Sequence, residues 1–162
     1  MSFPDAKTLA ESYALTARIV HMQAQGLSTK DSLLQPPFRG NCMNWVIGHL
    51  IAGRDSALRL MELDPLWEED ILELYRSESE PVTDGERALP LERLLGDLDR
   101  SQALIDTKLA ELLEADLARM VMSRGHPQAL GQALAGLHWH ETYHTGQLEL
   151  LRQLAGTNDA II

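Results

Sequence analysis

Two histidines near the C-terminal end of the chain, His140 and His144, have the residue type and the spacing of a metal-binding pair. They are separated by about one turn of an α-helix, so both imidazoles face the same side of that helix. A divalent transition metal usually takes three or four protein ligands. The pair therefore needs at least one more ligand from elsewhere in the chain.

The segment from His140 to His144 also matches the H-E-x-x-H pattern, in which zinc metalloproteases use the glutamate as general base. Such proteases take a further zinc ligand from downstream. After His144 the sequence has no histidine and a single glutamate, Glu149, which a helical arrangement places on a different side. A mostly helical chain would also lack the edge strand that holds an extended peptide. We therefore do not interpret the segment as a peptidase motif.

A helical wheel indicates which side chains share a face with the pair. Advancing about 100° per residue, it places His140, His144 and Gln147 together with the apolar Leu148 on the side predicted to face the core. His138 points about 160° away from His140 and is predicted to be exposed. The pair thus belongs to an inward-facing stripe.

A third inward-facing histidine, His49, lies on another predicted helix. Trp45 precedes it by one turn, and the small residues Gly53 and Ser56 follow on the same face, where they would leave room for an ion. Three imidazoles are costly to bury unless each is hydrogen-bonded or coordinated. A shared metal ion would satisfy all three, and separate local partners for three ordinary core histidines are the alternative.

The elements that must position these residues are four predicted amphipathic helices. They run between Asp5 and Gln25, from near Asn44 to just before Pro65, from Leu91 to Leu112, and after a break at residues 125–127. Asn44 is predicted to be the N-cap of the second helix. The fourth helix carries the histidine pair.

The segments between these helices contain most of the chain-breaking residues. Residues 31–40 are predicted to be irregular, residues 66–76 form an acidic segment with helical character, and residues 77–90 form a loop. Strand signals are nearly absent because period-two alternation is not sustained. We predict an all-α protein: a four-helix bundle with a long connection between helices two and three, forming a single domain over residues 1–162.

Composition restricts the partners and the location. With 24 acidic and 14 basic residues, the net charge of −10 opposes binding to nucleic acid or to an anionic membrane surface. Neither a signal-peptide pattern nor an apolar run of transmembrane length is present, so a cytoplasmic protein is expected. The single cysteine, Cys42, is predicted to be a small buried residue.

The two histidine-bearing segments together resemble a known family. Asn44-Trp45-Val46-Ile47-Gly48-His49-Leu50 opens helix two, and His140-Glu141-x-x-His144-x-Gly146-Gln147 lies on helix four. This combination, in this helix order, is similar to the DinB superfamily (DinB/YfiT-like proteins) over essentially the whole chain. The resemblance implies a four-helix bundle with a long connection between helices two and three.

The resemblance also implies a metal site. The family's ligand positions are matched here by His49, His140 and His144, which leave at least one coordination position for water or substrate. Three imidazoles suit zinc or nickel, with iron and manganese as further options. Glu141 is expected to have a structural or ligand-orienting role, Gln147 to contact the site or the facing helix, and Gly146 to permit close helix packing.

Relatives in this superfamily include S-transferases and isomerases that use bacillithiol, mycothiol or glutathione, so the resemblance implies a small-molecule substrate and a low-molecular-weight thiol. The leading hypothesis is a metal-dependent, thiol-dependent S-transferase. The alternatives are a metal-dependent hydrolase of a small molecule, and a noncatalytic metal-binding or interaction bundle. Relatives are often homodimers, so a homodimer is implied by the resemblance alone, and the residues themselves leave the oligomeric state open.

Overall fold

The computed structural model of this protein describes residues 3–83, 85–157 and 159. Its helices are α1 (Ala6–Ala24), α2 (Thr29–Ser32), α3 (Met43–Leu60), α4 (Glu69–Tyr75), α5 (Leu91–Glu111), α6 (Glu114–Leu117), α7 (Leu130–Thr145) and α8 (Gln147–Leu154). The strands are β1 (Met120–Ser123) and β2 (His126–Ala129). The structure confirms the all-α class, with the small hairpin as an addition.

The four longest helices, α1, α3, α5 and α7, enclose the core. α1 packs against α5 and α7, and α3 packs against the same two helices. Each presents an apolar stripe to the others, because aliphatic residues recur every three or four positions. None of the helices in the described part of the chain combines the length and the apolar character needed to span a lipid bilayer.

The start of α3 differs from the prediction. Cys42 occupies the N-cap position, and Asn44 lies fully buried inside the first turn. The Asn44 side chain donates to the carbonyl oxygen of Leu89 at 2.8 Å and accepts from the Tyr75 hydroxyl at 3.0 Å. The prediction of an Asn44 N-cap was wrong, because this amide ties the long connection between α3 and α5 to the core. Cys42 is buried, as predicted.

Hydrogen bonds and burial hold the acidic part of that long connection, residues 66–76, against the core. α4 confirms the helical character of residues 66–76. Trp67, just before α4, is 2% exposed, and its indole nitrogen donates to the carboxylate of Asp97 at 2.8 Å. The backbone amides of Leu66 and Trp67 donate to the Asp55 carboxylate. These contacts hold α4 against α3, where it reaches the histidines described below.

Two features interrupt the predicted helical pattern near the C-terminus. Residues 120–129 form an antiparallel hairpin, in which Ser123 pairs with His126 across the turn residues Arg124 and Gly125. These two residues have φ of 52° and 79°, as the tight turn of such a hairpin requires. The predicted fourth helix is divided at Gly146 into α7 and α8. Nearer the N-terminus, α2 (Thr29–Ser32) includes the first two residues of the stretch 31–40, which was predicted to be irregular.

Candidate metal centre

The structure brings His49, His140 and His144 together in one cluster. Nε2 of His140 lies 3.4 Å from Nε2 of His49 and 3.1 Å from Nε2 of His144. One ligand atom from each residue lies within 4.8 Å of the others. With zinc–nitrogen bonds of about 2.0–2.1 Å and a tetrahedral angle, neighbouring ligand nitrogens would be about 3.3 Å apart. The spacing of the three imidazoles therefore suits a metal ion of this size.

Contacts with α3 and α4 orient the His49 ring. Its Nδ1 lies 2.7 Å from the backbone carbonyl oxygen of Tyr75. Because a carbonyl oxygen only accepts, Nδ1 carries the proton and Nε2 presents its lone pair to the cluster. The ring also stacks on Trp45, with centroids 4.6 Å apart and planes inclined by 13°. The indole and the carbonyl together leave His49 little rotational freedom.

Gln147 orients the third imidazole. Nδ1 of His144 lies 2.8 Å from Oε1 of Gln147, and an amide oxygen only accepts. Nδ1 of His144 is thus the donor, so Nε2 of this ring also presents a lone pair to the cluster. The predicted contact of Gln147 with the site is present, and it is made from the first residue of α8.

Two of the imidazoles have a lowered pKa. The pKa of His140 is lowered to about 4, first by burial and then by the neighbouring His144 and His49. Burial is also the main cause of the lowered pKa of His49, although the bond to the Tyr75 carbonyl opposes it. Both rings are therefore uncharged near neutral pH, the form in which imidazole binds metals.

The cluster is more open than the helical wheel indicated. His49 is buried, as predicted, at 6% exposure, whereas His140 and His144 are only partly buried. His138, predicted to be exposed, is also partly buried and packs edge-on against Tyr13 at 5.1 Å between centroids. Both differences have one cause: the buried side of this half of α7 is centred on Glu141 and Thr145, so His140, His144 and His138 lie at its edges.

Glu141 belongs to a different buried cluster. Its carboxylate accepts two hydrogen bonds from the Arg54 guanidinium, at 2.6 Å and 2.9 Å, and a third from the Thr16 hydroxyl. Arg54 is fully buried and also donates to the Tyr13 carbonyl oxygen and the Ser101 hydroxyl. These contacts are those of a buried ion pair, and the structural or ligand-orienting role of Glu141 stays a prediction. Arg54, a charge on the buried face of α3, was not predicted from the sequence.

Gly146 does not serve the purpose assigned to it. It is exposed, and a Cβ atom built there would lie 3.6 Å from the nearest atom, the Tyr143 carbonyl oxygen, which is an ordinary contact. The expectation that Gly146 permits close helix packing was wrong. Its position instead marks the junction between α7 and α8, which lets Gln147 face His144.

A cleft of about 720 Å³ opens beside the cluster, lined by His49 and His140 on one side. The small residues Gly53 and Ser56, predicted to leave room for an ion, lie along this cleft. Its other polar lining residues are arginines and serines contributed by α3, by the segment after α4 and by the β-hairpin. The hairpin was not predicted, so this part of the site could not be found from the sequence.

Comparison with known proteins identifies the family. The family model described as the DinB superfamily matches residues 13–148. The chain belongs to the DinB superfamily. All three clustered histidines lie within the matched region of this DinB protein.

A solved structure extends the similarity to the fold. The crystal structure of a conserved protein from Enterococcus faecalis superimposes with a TM-score of 0.74 at 17% sequence identity. The alignment covers 96% of this chain and 100% of that chain. No match was found among curated proteins. At this identity the similarity shows that the two chains share a fold.

Proposed function

We propose that this DinB protein is a metal-dependent enzyme in which His49, His140 and His144 hold one divalent metal ion. Zinc or nickel suits the three imidazoles best, with iron or manganese as alternatives. We further propose that the enzyme transfers an electrophilic group onto the sulfur of a low-molecular-weight thiol. Membership of the DinB superfamily supports the proposal.

The observation that carries the proposal is the convergence of three Nε2 atoms. His49 and His144 each donate through Nδ1, so both direct a lone pair at His140. A neutral His140 has one ring proton, and it can donate through Nε2 to only one of these neighbours. At least one of the two lone pairs directed at His140, from 3.1–3.4 Å away, therefore finds no donor within the cluster. A bound cation would accept it.

The surroundings of the cluster suit catalysis rather than a closed structural site. Three protein ligands leave at least one coordination position open, and the cleft gives a small molecule access to it. A metal bound there would lower the pKa of a coordinated thiol, supplying a thiolate at neutral pH. In the transfer, the thiol proton passes to solvent and the sulfur forms a bond to the electrophilic carbon. The bond from that carbon to its leaving group breaks: a halide departs with the electron pair, whereas an epoxide oxygen keeps the pair, stays on the product and takes a proton from solvent.

Metal analysis of protein purified without a His tag tests the first half of the proposal. We expect about one ion per chain in the wild type. His49→Ala and His144→Ala should lose most of it, whereas His126→Ala, which changes an exposed histidine of β2, should not. Unchanged metal content in both site variants would exclude this centre.

Turnover assays test the second half. Metal-loaded protein is incubated with bacillithiol, mycothiol or glutathione and with an alkyl halide or an epoxide, and the thioether product is quantified by mass spectrometry. Product formed by the wild type and lost with His49→Ala supports the transferase. Stoichiometric metal with no thioether from any combination would contradict it and favour a noncatalytic metal-binding bundle.

A further inference from the structure

The cleft beside the histidine cluster gathers positive charge from three separate elements. Arg59 lies on α3, Arg76 directly follows α4, and Arg124 lies at the turn of the β-hairpin. We call the cavity lined by these three residues the arginine cleft. Because His49 and His140 form part of the same lining, a molecule in the arginine cleft would lie next to the proposed metal centre.

The charge of the arginine cleft is opposite to that of the chain as a whole. The protein has a net charge of −10, yet none of the residues lining the cleft is an aspartate or a glutamate. Within residues 3–83, 85–157 and 159, neither Arg59 nor Arg124 is in a salt bridge of 4.0 Å or shorter. Arg76 has one such contact, a long 3.7 Å pair with the exposed Glu73. Arg76 also lines a second cavity, together with Asp70, Glu73, Glu78 and Glu80. The guanidinium groups of Arg59 and Arg124 are therefore the ones most available to a ligand.

The backbone at Arg124 supports a specific use of this side chain. Its φ of 52° lies in the left-handed region, where asparagine, aspartate and glycine are the favoured residues of a tight hairpin turn. Arginine is not among these favoured residues. At this turn, however, the arginine lines the cleft.

We propose that the arginine cleft binds the anionic group of the small molecule that reacts at the histidine centre. The group would be a carboxylate or a phosphate, since the planar fork of arginine matches both with paired hydrogen bonds. The hydroxyls of Ser77 and Ser123 supply further donors, and Leu60 and Leu137 offer an apolar wall for the rest of the molecule. The volume of about 720 Å³ is that of a small-molecule site.

The identification of the anion as part of the substrate rests on the proposed function, whereas anion binding itself requires no metal. We therefore propose titrating ¹⁵N-labelled protein with inorganic phosphate and, separately, with succinate, and following the backbone amides by NMR at low ionic strength. Both wild-type protein and the His49→Ala variant are used. We expect saturable shifts at Gly53, Ser77 and Ser123 in both proteins.

Charge-matched variants test whether the arginines cause the binding. Arg59→Gln combined with Arg124→Gln should raise the dissociation constant at least about tenfold, as expected for the loss of charge-assisted hydrogen bonds. Arg18→Gln combined with Arg39→Gln removes the same two charges from exposed positions outside the cleft and should leave the constant within about twofold. A folded double variant is recognised by its dispersed NMR spectrum.

The two probes distinguish the sources of the anion. Binding of phosphate alone supports a phosphate ester, binding of succinate alone supports a carboxylate, and binding of both supports a site selective for charge only. The inference is overturned if neither probe shifts the cleft amides, or if Arg18→Gln combined with Arg39→Gln weakens binding as much as Arg59→Gln combined with Arg124→Gln does. If the wild type binds no metal but its cleft binds the anion, the proposed function fails and the anion site stands.

Discussion

His140 and Glu141 are adjacent in the sequence but face different environments. The His140 imidazole points to the cluster at the edge of the cleft, and the Glu141 carboxylate points into the core. Successive helical residues are rotated by about 100°, so one helix can present a metal ligand and a buried ion pair side by side. The ion pair with Arg54 fixes the rotation of α7 and thereby the direction of His140 and His144, the two histidines that α7 contributes to the cluster.

Glu141→Gln tests this structural assignment. Arg54 would remain buried without a countercharge, which typically costs about 3–5 kcal/mol. Urea unfolding in the presence of a chelator should show a loss of this size in the free energy of unfolding. Glu11→Gln, on the exposed surface of α1, should change that free energy by less than about 0.5 kcal/mol.

A second variant separates the ion pair from other effects of changing Glu141. Replacing both Arg54 and Glu141 by methionine removes the buried charges together and should recover a large part of the lost stability. If Glu141→Gln instead left stability unchanged while abolishing turnover, Glu141 would be a general base after all, as in the metalloprotease pattern.

At the level of elements, the contact between α3 and α4 controls the position of His49. Tyr75, the last residue of α4, is fully buried, and its hydroxyl donates to Asn44 and accepts from the Leu89 amide. Its ring lies directly over Gly48, where a Cβ atom would approach to 2.2 Å. The Tyr75 carbonyl then orients His49. The glycine thus lets α4 come close enough to fix a proposed metal ligand.

Gly48→Ala should therefore impair both stability and metal binding. Overpacking of this kind costs about 1–3 kcal/mol, and displacing Tyr75 should weaken metal affinity about tenfold or more, as loss of a ligand's hydrogen-bond partner does. Chemical unfolding and competition with a chromogenic chelator measure the two effects. Gly96→Ala is the matched control, because its Cβ would meet no atom within 4 Å, and it should stabilise α5 by about 0.5–1 kcal/mol. Equal behaviour of the two variants would contradict this account.

Helical periodicity predicted the elements with long apolar stripes and missed those defined by a few contacts. The four long helices and the grouping of three histidines were expected from spacing and family resemblance. The β-hairpin was not, because four-residue strands such as Met120–Ser123 carry no sustained alternation. Asn44 and Arg54 were misread or missed because each is a polar residue whose burial depends on partners far away in sequence, at Leu89 and Glu141.

At the level of the whole molecule, a metal ion held by the cluster would connect distant parts of the chain. His49 and His140 are 91 residues apart in sequence and lie on opposite sides of the α3–α7 contact. Unfolding of the bundle separates them, so a bound ion favours the native state. The proposed centre should therefore stabilise the entire core and not only the residues around the ion.

Thermal unfolding measures this coupling. At a metal concentration of 100 times the dissociation constant, native-state binding adds about 2.7 kcal/mol, which corresponds to a rise in Tm of about 5–10 °C for a chain of this size. Saturating zinc or nickel should produce this shift in the wild type and in His126→Ala. In His49→Ala the shift should vanish, and a shift of unchanged size there would place the bound metal elsewhere.

The stack of Trp45 on His49 gives the protein a built-in optical reporter. Trp45 is 5% exposed, so its emission depends on the electric field of its immediate neighbours and little on solvent. A cation bound to the His49 imidazole would change the electric field at the indole ring stacked on it. Intrinsic fluorescence should therefore follow occupancy of the centre in real time without any dye. The other two tryptophans, Trp67 and Trp139, supply the background emission against which the change is read.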